Sequence, residues 1–356
     1  MKFGTVLVTG GAGFIGGNFV HMLINELGAK VINLDCLTYA GNMVTLEPVA
    51  GNPKHIFVKG DIRDRKLVRS LLAESKPEAI VNFAAESHVD RSIDSPGDFI
   101  QTNVLGSFEL LEAARGHWGD LTGADRDRFR FLHVSTDEVY GSLGGTGLFN
   151  ESSPYSPNSP YAASKAASDH LVRAYHHTYG LPAIITNCSN NYGPYQYPEK
   201  LIPLAIYKAL SGKPIPVYGD GGNVRDWLYV KDHCHAIWSV LQKGAPGQTY
   251  NVGGNGERTN IQVVRAICKI LDELMPDSPN APHEKLITHV ADRPGHDRRY
   301  AIDASKIGEQ TGWAAKQTFE QGLKNTVIWY IENKKWADTV MAGEYKGERL
   351  GLAKGE

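Results

Sequence analysis

The most constraining feature of the sequence is a glycine-rich loop close to the amino terminus. Gly10, Gly13 and Gly16 follow the apolar, β-branched run at residues 5–8 and precede a helical pattern that reaches Leu27. Glycines between a strand and a helix permit a tight turn and a close approach of ligand to backbone, and the positive end of the helix then faces that ligand. The loop therefore predicts a pyrophosphate site. Glycine-rich turns are common, so the prediction depends on the segments that come after the loop.

Strand-like and helix-like segments alternate through the first half of the chain. Short apolar runs rich in β-branched residues recur at residues 5–8, 31–34, 56–58, 79–83, 131–134 and 183–186. Helical patterns lie between them, among them the long one at residues 99–118. This alternation predicts an α/β fold, a doubly wound parallel sheet of the Rossmann type, with its ligand crevice at the carboxyl ends of the strands.

Beyond residue 186 the alternation loosens. Loops there are richer in Arg, Asn and Tyr, side chains that suit a phosphorylated, hydroxyl-rich ligand. We expect a dinucleotide-binding Rossmann domain over residues 1–186, which also carries the catalytic residues, and a smaller mixed α/β substrate lobe over residues 187–335. The two interleave, with some strands of the second returning to the first, and residues 336–356 form a peripheral tail.

Composition excludes several classes of protein. The 356-residue chain has a net charge of −2 with acidic and basic residues interspersed, which is not the pattern of a nucleic-acid-binding protein. The scattered cysteines, Cys36, Cys188, Cys234 and Cys268, favour free thiols in a reducing compartment over disulfides or a metal site. No apolar run reaches the roughly 18 residues of a membrane span, and the glycine-broken amino terminus is not a signal peptide. We therefore expect a cytoplasmic protein.

Acidic and small residues follow the next strands at positions where a dinucleotide would lie. Asp35 ends the second strand about 20 residues beyond the glycine loop, where a carboxylate accepts both ribose hydroxyls and repels a 2′-phosphate. This favours NAD over NADP; the alternative is a surface aspartate that only ends a strand. Asp61 and Ile62 are placed to flank an adenine, and the small residues Ala84 and Ala85 let a dinucleotide lie against the backbone.

A cluster of chemically active residues begins where the strand at residues 131–134 ends. Thr136 is followed directly by Asp137 and Glu138. Two neighbouring carboxylates push each other's pKa values apart, which leaves one acid and one base. An adjacent Asp-Glu pair is usually part of a solvated loop, but the strand before it and the helix after it favour a functional pair here.

The helix after this cluster brings a tyrosine and a lysine together. Ser159 is the predicted N-cap, and Pro160 occupies the first helical position. Tyr161 and Lys165 are four residues apart and therefore lie on one face, one turn from each other. An ammonium near a phenol favours the phenolate and lowers its pKa from about 10 toward working pH. The pair predicts a tunable base.

These motifs resemble those of the extended short-chain dehydrogenase/reductase family. TGGAGFIG from Thr9 and YAASK from Tyr161 are typical of the family as a whole, and the resemblance covers residues 2–330. Its sugar-nucleotide dehydratases are indicated by four segments: TDEVYG from Thr136, AAESHVDRSI from Ala84, SNNYGPYQYPEKLIP from Ser189 and DRPGHDRRYAID from Asp292. Sugar-nucleotide epimerases of the same fold share the glycine loop and the Tyr/Lys helix but lack the adjacent Asp-Glu pair.

The resemblance implies an internal redox reaction on dTDP-glucose with tightly bound, recycled NAD. Hydride leaves C4 of the glucose ring and returns at C6, while water is eliminated between C5 and C6. In the implied roles, Tyr161 removes the C4 hydroxyl proton, Lys165 lowers the pKa of that tyrosine and binds the nicotinamide ribose, and Thr136 holds the C4 oxygen. Glu138 removes the C5 proton, and a protonated Asp137 donates to the departing C6 hydroxyl.

The resemblance also implies the residues that bind each ligand. The cofactor residues are Gly10, Gly13, Phe14, Ile15, Gly16, Asp35, Leu37, Thr38, Asp61, Ile62, Ala84, Ala85, Ser87, Thr102, Tyr161, Lys165 and Asn191. The substrate residues are Ser87, Thr136, Asn190, Glu199, Lys200, Leu201, Pro216, Tyr218, Arg225, Asn260, Arg298 and Tyr300, with the choice between Arg298 and Arg299 left open. Helices at residues 99–118 and 162–179 would build a homodimer through a four-helix bundle.

Several alternatives stay open. A UDP-sugar 4-epimerase, a decarboxylase or a different 4,6-dehydratase of this fold would share Tyr161 and Lys165, and only the Asp137–Glu138 pair opposes them. A non-catalytic NAD-binding regulator tends to lose the tyrosine or the lysine, and Asp35 disfavours an NADP reductase. Thymidine and uridine differ by one methyl group, so the nucleobase stays open, as does the pathway, of which dTDP-rhamnose biosynthesis is one. Cys36, where related dehydratases often carry lysine, leaves the NAD affinity open.

Overall fold

A seven-stranded, fully parallel sheet forms the centre of the molecule. The structure, a computed structural model, describes residues 3–292 and 296–342. Its strands are β1 (Thr5–Thr9), β2 (Lys30–Asp35), β3 (His55–Lys59), β4 (Ala79–Asn82), β5 (Arg130–Thr136), β6 (Ala183–Cys188), β7 (Asn190–Tyr192), β8 (Ile215–Tyr218), β9 (Val224–Arg225), β10 (Trp227–Tyr229), β11 (Thr249–Val252), β12 (Arg258–Thr259) and β13 (Ile287–Val290). The central sheet has the order β3-β2-β1-β4-β5-β6-β11. The order reverses between β1 and β4, the switch point at which doubly wound sheets bind ligands.

Helices cover both faces of this sheet. They are α1 (Phe14–Asn25), α2 (Arg65–Ser75), α3 (Val89–Asp94), α4 (Pro96–Phe99), α5 (Ser107–Asp120), α6 (Gly123–Arg128), α7 (Pro160–Tyr179), α8 (Leu201–Leu210), α9 (Val230–Lys243), α10 (Asn260–Leu274), α11 (Ser305–Thr311), α12 (Phe319–Glu332) and α13 (Lys334–Met341). Along β1, Val6 and Val8 face the core beneath α1 and α9, while Leu7 faces the core beneath α2, α5 and α7. Burial on both faces explains why the strands are continuously apolar. The predicted Rossmann fold is confirmed.

The second half of the chain forms a smaller body and also completes the central sheet. Its short strands pair as β7 with β10, β8 with β13 and β9 with β12. A separate apolar core lies among α8, α10 and α12, with Tyr192 and Trp227 buried in it. Strand β11 leaves this body and pairs with β6 at the edge of the main sheet.

The helix predicted for residues 99–118 differs from the structure. A π-helix occupies Ile100–Gly106, and the regular α-helix α5 starts only at Ser107. The wide turn places Asn103 so that its side chain accepts from the N–H of Glu86 (2.8 Å) and donates to Ser164 Oγ (2.8 Å). These long-range contacts compensate the poorer helical geometry, and periodicity gives no sign of them.

The described ranges were also compared with the requirements for a membrane span, a metal site and disulfide bonds. None of their helices combines the length and the apolar character that crossing a membrane requires. The same residues bring no group of three or more His, Cys, Asp or Glu side chains together in a way that would hold a metal ion. The cysteines are free thiols, with Cys36 exposed and Cys188, Cys234 and Cys268 buried.

Candidate active site

A cleft of about 310 Å³ opens at the carboxyl ends of the central strands. Every cofactor residue predicted from the sequence lines it except Leu37. Predicted substrate residues on its wall are Ser87, Thr136, Asn190, Glu199 and Lys200. The others lie outside this wall: Leu201, Pro216, Tyr218, Arg225, Asn260, Arg298 and Tyr300. One crevice thus collects residues from both halves of the chain.

The glycine loop is shaped so that larger residues do not fit. Gly10 has φ +70°, and a Cβ there would lie 2.7 Å from the backbone nitrogen of Ala84. A Cβ on Gly16 would lie 2.2 Å from the carbonyl oxygen of Gly10. Helix α1 follows with Gly13 as its N-cap, and within the described residues no side chain caps its first N–H groups. Those donors therefore face the cleft, as a pyrophosphate site requires.

Asp35 lies at the end of β2 on the wall of the cleft. Its Oδ2 accepts from the N–H of Ala12 at 2.9 Å, and its Oδ1 accepts from the N–H of Leu37 at 2.8 Å. Each oxygen keeps a second lone pair, which suits a ribose diol. Leu37 itself has φ +56° and packs its side chain against the core, so it contributes a backbone N–H to Asp35 instead of lining the cleft.

The Thr-Asp-Glu segment lies where β5 passes into a short 3₁₀-helix, Asp137–Tyr140. Thr136 Oγ1 accepts from the N–H of Glu138 at 3.3 Å, which fixes the turn. Asp137 is only 1% exposed, and its Oδ2 has no hydrogen-bond partner among the described residues. Burial, and then the charges of Glu138 and Asp226, raise the pKa of Asp137 well above its ordinary value. The geometry therefore favours a protonated Asp137.

Helix α7 presents the tyrosine and the lysine as its cap signals predict. It begins at Pro160, and the Ser159 side chain accepts from the N–H of Ala162 at 3.1 Å, which confirms the predicted start. Tyr161 and Lys165 are both buried on the cleft wall. Lys165 Nζ donates to the carbonyl oxygen of Val134 at 2.8 Å.

Burial of the phenol outweighs the effect that was expected of Lys165 on the tyrosine. Burial, and then the charge of Glu138, raise the pKa of Tyr161 well above its ordinary value, while a hydrogen bond with Thr136 acts in the opposite direction. The Lys165 ammonium donates to the main-chain carbonyl of Val134. Sequence spacing predicted that the two residues share a face but not the desolvation of the phenol.

Two predicted substrate residues, Arg225 and Tyr300, lie next to the Thr-Asp-Glu segment. The guanidinium of Arg225 lies 4.3 Å from the ring centre of Tyr300, and both side chains are buried. Arg225 Nη2 donates to the carbonyl oxygen of Asp297 at 3.0 Å, and the Tyr300 hydroxyl donates to the Asp297 carboxylate. After burial, the charge of Glu138 is the largest contribution that raises the pKa of Tyr300, so this layer adjoins the Thr-Asp-Glu segment.

The arginines at 298 and 299 point to different partners. Arg298 Nη1 lies 3.3 Å from Asp220 Oδ1, and both side chains are exposed. Arg299 binds both carboxylate oxygens of Glu257, at 2.8 and 3.0 Å. Asn260 is the first residue of α10, and its N–H donates to the carbonyl oxygen of Asn223 at 3.0 Å. The predicted motif positions 293–295 and the tail positions 343–356 lie outside the described residues.

Comparison with known proteins agrees with this geometry. The family model for GDP-mannose 4,6 dehydratase matches residues 7–326. A dTDP-glucose 4,6-dehydratase of Xanthomonas campestris pv. campestris is 64% identical over 347 residues, which cover 98% of this chain and 99% of the relative. The chain belongs to the dTDP-glucose 4,6-dehydratase family.

Solved structures of the dTDP-glucose 4,6-dehydratase family share the whole fold. The enzyme of Bacillus anthracis in complex with NAD has a TM-score of 0.83 and 49% identity, covering 94% of this chain and 99% of the other. DesIV of Streptomyces venezuelae, with NAD and TYD bound, has a TM-score of 0.85 and 48% identity over the same shares. The parallel sheet is therefore a feature of the family.

Some residues on the cleft wall of this dehydratase-family chain were not predicted individually. They are Ala40, Gly41, Gly60, Arg63, Phe83, Glu86, Val134, Ser135, Cys188, Ser189, Gln196 and Tyr197. Gln196 donates through Nε2 to the carbonyl oxygen of Asn191 at 2.9 Å and keeps its Oε1 buried without a partner among the described residues. Both residues belong to the SNNYGPYQYPEKLIP segment, so membership of that motif is the sequence feature from which Gln196 could have been predicted as a cleft residue.

Glu199 joins the two halves of the chain at the mouth of the cleft. Its Oε1 accepts from the Tyr39 hydroxyl at 3.1 Å, and its Oε2 lies 3.5 Å from Arg91 Nε. The Arg91 guanidinium in turn lies over the Tyr39 ring, 3.8 Å from its centre. Glu199 was predicted only as a substrate residue, and the structure gives it this second set of contacts.

Proposed function

We propose that this chain converts dTDP-glucose to dTDP-4-keto-6-deoxyglucose and water, with bound NAD+ regenerated in every turnover. The observation that carries the proposal is the buried Oδ2 of Asp137, which has no hydrogen-bond partner among the described residues. It lies beside Glu138 on the same cleft wall as Tyr161 and Lys165. A simple dehydrogenase or epimerase has no step that needs an acid and a base side by side. Membership of the dehydratase family supports the same conclusion.

The cleft fits NAD as the cofactor. Gly10 and Gly16 allow a tight loop in which any Cβ would collide with backbone, and the helix N-terminus that follows suits a pyrophosphate. Asp35 offers carboxylate oxygens to a ribose diol while repelling a 2′-phosphate. When bound, NAD+ would accept the hydride from C4 and return that hydride to C6. Its positively charged nicotinamide ring would also favour a nearby phenolate. The DesIV structure with NAD and TYD bound supports NAD as the cofactor.

The first half-reaction depends on hydroxyl groups. Tyr161, as the phenolate, removes the proton of the C4 hydroxyl as the hydride leaves C4. Thr136 Oγ1, which forms a hydrogen bond with Tyr161, holds the C4 oxygen in position. Lys165 keeps a positive charge behind this pair and binds the nicotinamide ribose. Because burial raises the pKa of Tyr161 in the protein alone, the phenolate requires the positive charges of the loaded site.

The elimination depends on the two carboxyl groups. The C4 ketone acidifies the C5 proton, and Glu138 removes it as the base. Asp137 donates its proton to the C6 hydroxyl, which leaves as water and creates a C5–C6 double bond. Hydride addition at C6 and return of the proton to C5 then complete the product. The raised pKa of Asp137 supports its role as the acid.

Substrate contacts are proposed at the second lobe. Asn190, Glu199 and Lys200 lie on the cleft wall. Arg225, buried against Tyr300, suits a diphosphate, since a guanidinium presents two parallel donors. The remaining predicted contacts are Ser87, Leu201, Pro216, Tyr218, Asn260 and Arg298.

We also propose a cytoplasmic homodimer that acts in nucleotide-sugar metabolism, with dTDP-rhamnose biosynthesis as one destination of its product. The free state of the four cysteines supports a reducing compartment. Exposed apolar side chains on the π-helix and at the end of α7, namely Ile100, Leu105 and Tyr179, support a dimer formed through these helices.

The test is turnover of dTDP-glucose in heavy water without added NAD, followed by mass spectrometry. We expect a product lighter by one water and carrying one deuterium at C5. Glu138→Gln should stall with the cofactor reduced, whereas Glu74→Gln, an exposed change on α2, should turn over normally. Unchanged dTDP-glucose together with C4 epimerisation of UDP-glucose would refute the dehydratase proposal.

A further inference from the structure

A buried polar row crosses three strands of the main sheet behind Lys165. Thr9, Asn82 and His133 are register partners on β1, β4 and β5. Thr9 Oγ1 donates to Asn82 Oδ1 at 2.6 Å, and Asn82 Nδ2 lies 3.0 Å from His133 Nδ1. The amide therefore offers its N–H group to the ring, which makes Nδ1 the acceptor and leaves the ring proton on Nε2. Burial, and then the charge of Lys165, lower the pKa of His133 well below its ordinary value, so the ring is neutral.

The row ends at Asp169, one turn beyond Lys165 on α7. His133 Nε2 lies 3.4 Å from Lys165 Nζ and 3.6 Å from Asp169 Oδ1. Because the imidazole N–H and the ammonium are both donors, they do not bond to each other, and Asp169 is the anionic group beside them. Its Oδ2 accepts from the hydroxyls of Ser135 (2.8 Å) and Tyr155 (3.0 Å).

Asp169 acts on Lys165 without touching the cleft. It is 2% exposed and does not belong to the residues that line the cleft, whereas Lys165 does. Burial lowers the pKa of Lys165, and the charge of Asp169 is the largest effect that raises it. A buried ammonium without a counter-charge loses its proton readily, and the charge of a nearby carboxylate opposes that loss.

We propose that Asp169 is a positioning residue: held by Ser135, Tyr155 and the Thr9–Asn82–His133 row, its carboxylate keeps the Lys165 ammonium charged and directed at the cleft. This deepens the proposed function and rests on it. Other titratable groups face the pair, namely Tyr140 in the 3₁₀-helix, Tyr155 before α7, His133 on β5 and Cys188 on β6. Burial raises the pKa of both tyrosines and of the thiol, and lowers that of the histidine, so all four are neutral at working pH.

The test follows the ionisation of Lys165 directly by nuclear magnetic resonance, with isotope-labelled lysine Cε in the cofactor-free full-length protein. The signal is assigned by its loss in Lys165→Arg. We expect Asp169→Asn to lower the titration midpoint of Lys165 by about one pH unit or more. Asp169→Glu restores the charge and should bring the midpoint back. Tyr155→Phe removes a buried hydrogen bond to the same carboxylate but no charge, and should leave the midpoint in place.

Kinetics of the loaded enzyme supply the second measurement. In Asp169→Asn, the pH at which kcat for dTDP-glucose falls on the alkaline side should decrease by as much as the Lys165 midpoint does. At a pH above the midpoints of both proteins, the activity of the variant should be about tenfold lower for each pH unit of this decrease. The KM should stay nearly unchanged, because Asp169 does not contact the cleft. Tyr155→Phe should keep the position of the alkaline limb.

Two outcomes would overturn the proposal. The first is an unshifted Lys165 midpoint in a folded Asp169→Asn protein, whatever its activity, because the residue would then be only structural. The second outcome is measured on wild type, in case Asp169→Asn does not fold. The Lys165 signal should show a second inflection where Asp169 titrates, at a pKa of about 7. A titration of Lys165 in a single step would contradict the coupling. A wrong substrate would appear only in the turnover assay and would leave these titrations unchanged.

Discussion

At the scale of single residues, burial determines the chemistry more than sequence neighbours do. Asp137 and Glu138 are adjacent in the chain, yet the pKa of Asp137 is raised first by burial and only then by its neighbour. Tyr161 follows the same rule, since desolvation outweighs the hydrogen bond from Thr136. The same side chains on an exposed loop would be an ordinary solvated acid and phenol.

Asp137→Asn tests this difference. We expect turnover to fall by roughly 10²–10⁴-fold, because the amide does not donate an acidic proton to the C6 hydroxyl. The raised folded-state pKa means that the contribution of Asp137 to stability is complete below its ordinary pKa and is lost as pH rises through the folded-state value. The asparagine has no such loss, so the free energy of unfolding of the variant, relative to wild type, should increase as pH rises.

Thermal unfolding at a series of pH values measures the effect on stability, and single-turnover absorbance of the reduced cofactor measures the chemical step. Asp125→Asn, on the exposed surface of α6, is the control. A pH-independent difference between Asp137→Asn and wild type would show that folding does not raise the pKa of Asp137.

At the scale of elements, the strand–turn–helix units place the site. β1 and the glycine loop deliver the start of α1, β2 delivers Asp35, and β5 delivers the Thr-Asp-Glu segment to the same edge of the sheet. Local signals explain most of these boundaries, as the Ser159 cap of α7 shows. The π-helix Ile100–Gly106 has no such signal, because its stabilising contacts come from Glu86 and Ser164.

Gly16→Ala tests the glycine loop. The added Cβ would lie 2.2 Å from the Gly10 carbonyl oxygen, so the loop must open and its N–H groups turn away from the pyrophosphate. We expect the purified variant to carry less than about a tenth of the wild-type NAD, a loss on the order of 1.4 kcal/mol or more in binding. Cofactor released by denaturation measures this. Gly116→Ala on α5, where a Cβ meets nothing within 4 Å, should retain full cofactor.

At the scale of the whole molecule, the two halves share one site and one sheet. β11 returns to the edge of the Rossmann sheet, and Glu199 binds Tyr39 and Arg91 across the cleft mouth. The division at residue 186 stays a prediction. We propose that these contacts help to retain NAD between turnovers.

Tyr39→Phe tests that retention. Loss of the 3.1 Å hydrogen bond to Glu199 removes about 1 kcal/mol of stabilisation from these contacts, while the ring remains to stack on Arg91. We expect NAD to dissociate about fivefold faster, as followed by stopped-flow exchange against a fluorescent analogue. Tyr207→Phe, on α8 outside the cleft wall, should exchange like wild type. Equal rates for all three proteins would contradict a retaining role.

Leu105→Arg tests the proposed dimer. Leu105 is 44% exposed on the π-helix, and an arginine there would place a charge in the centre of the helical interface. Analytical ultracentrifugation should show a dimer for wild type and a monomer for the variant. Leu148→Arg, a similarly exposed leucine in the loop after the 3₁₀-helix, should remain dimeric. A monomeric wild type would refute the proposed assembly.

The sequence by itself determined the Rossmann fold, the cleft at its switch point, the α7 cap and the positions of Thr136, Asp137, Glu138, Tyr161 and Lys165 along the chain. These follow from periodicity, glycine placement and spacing, which act within a few residues. Only the tertiary structure decided the raised pKa of Asp137 and Tyr161, the contacts of Glu199 and the polar row that ends at Asp169. Desolvation and cross-strand contact depend on atoms contributed by distant segments, and no local pattern records which segments will meet.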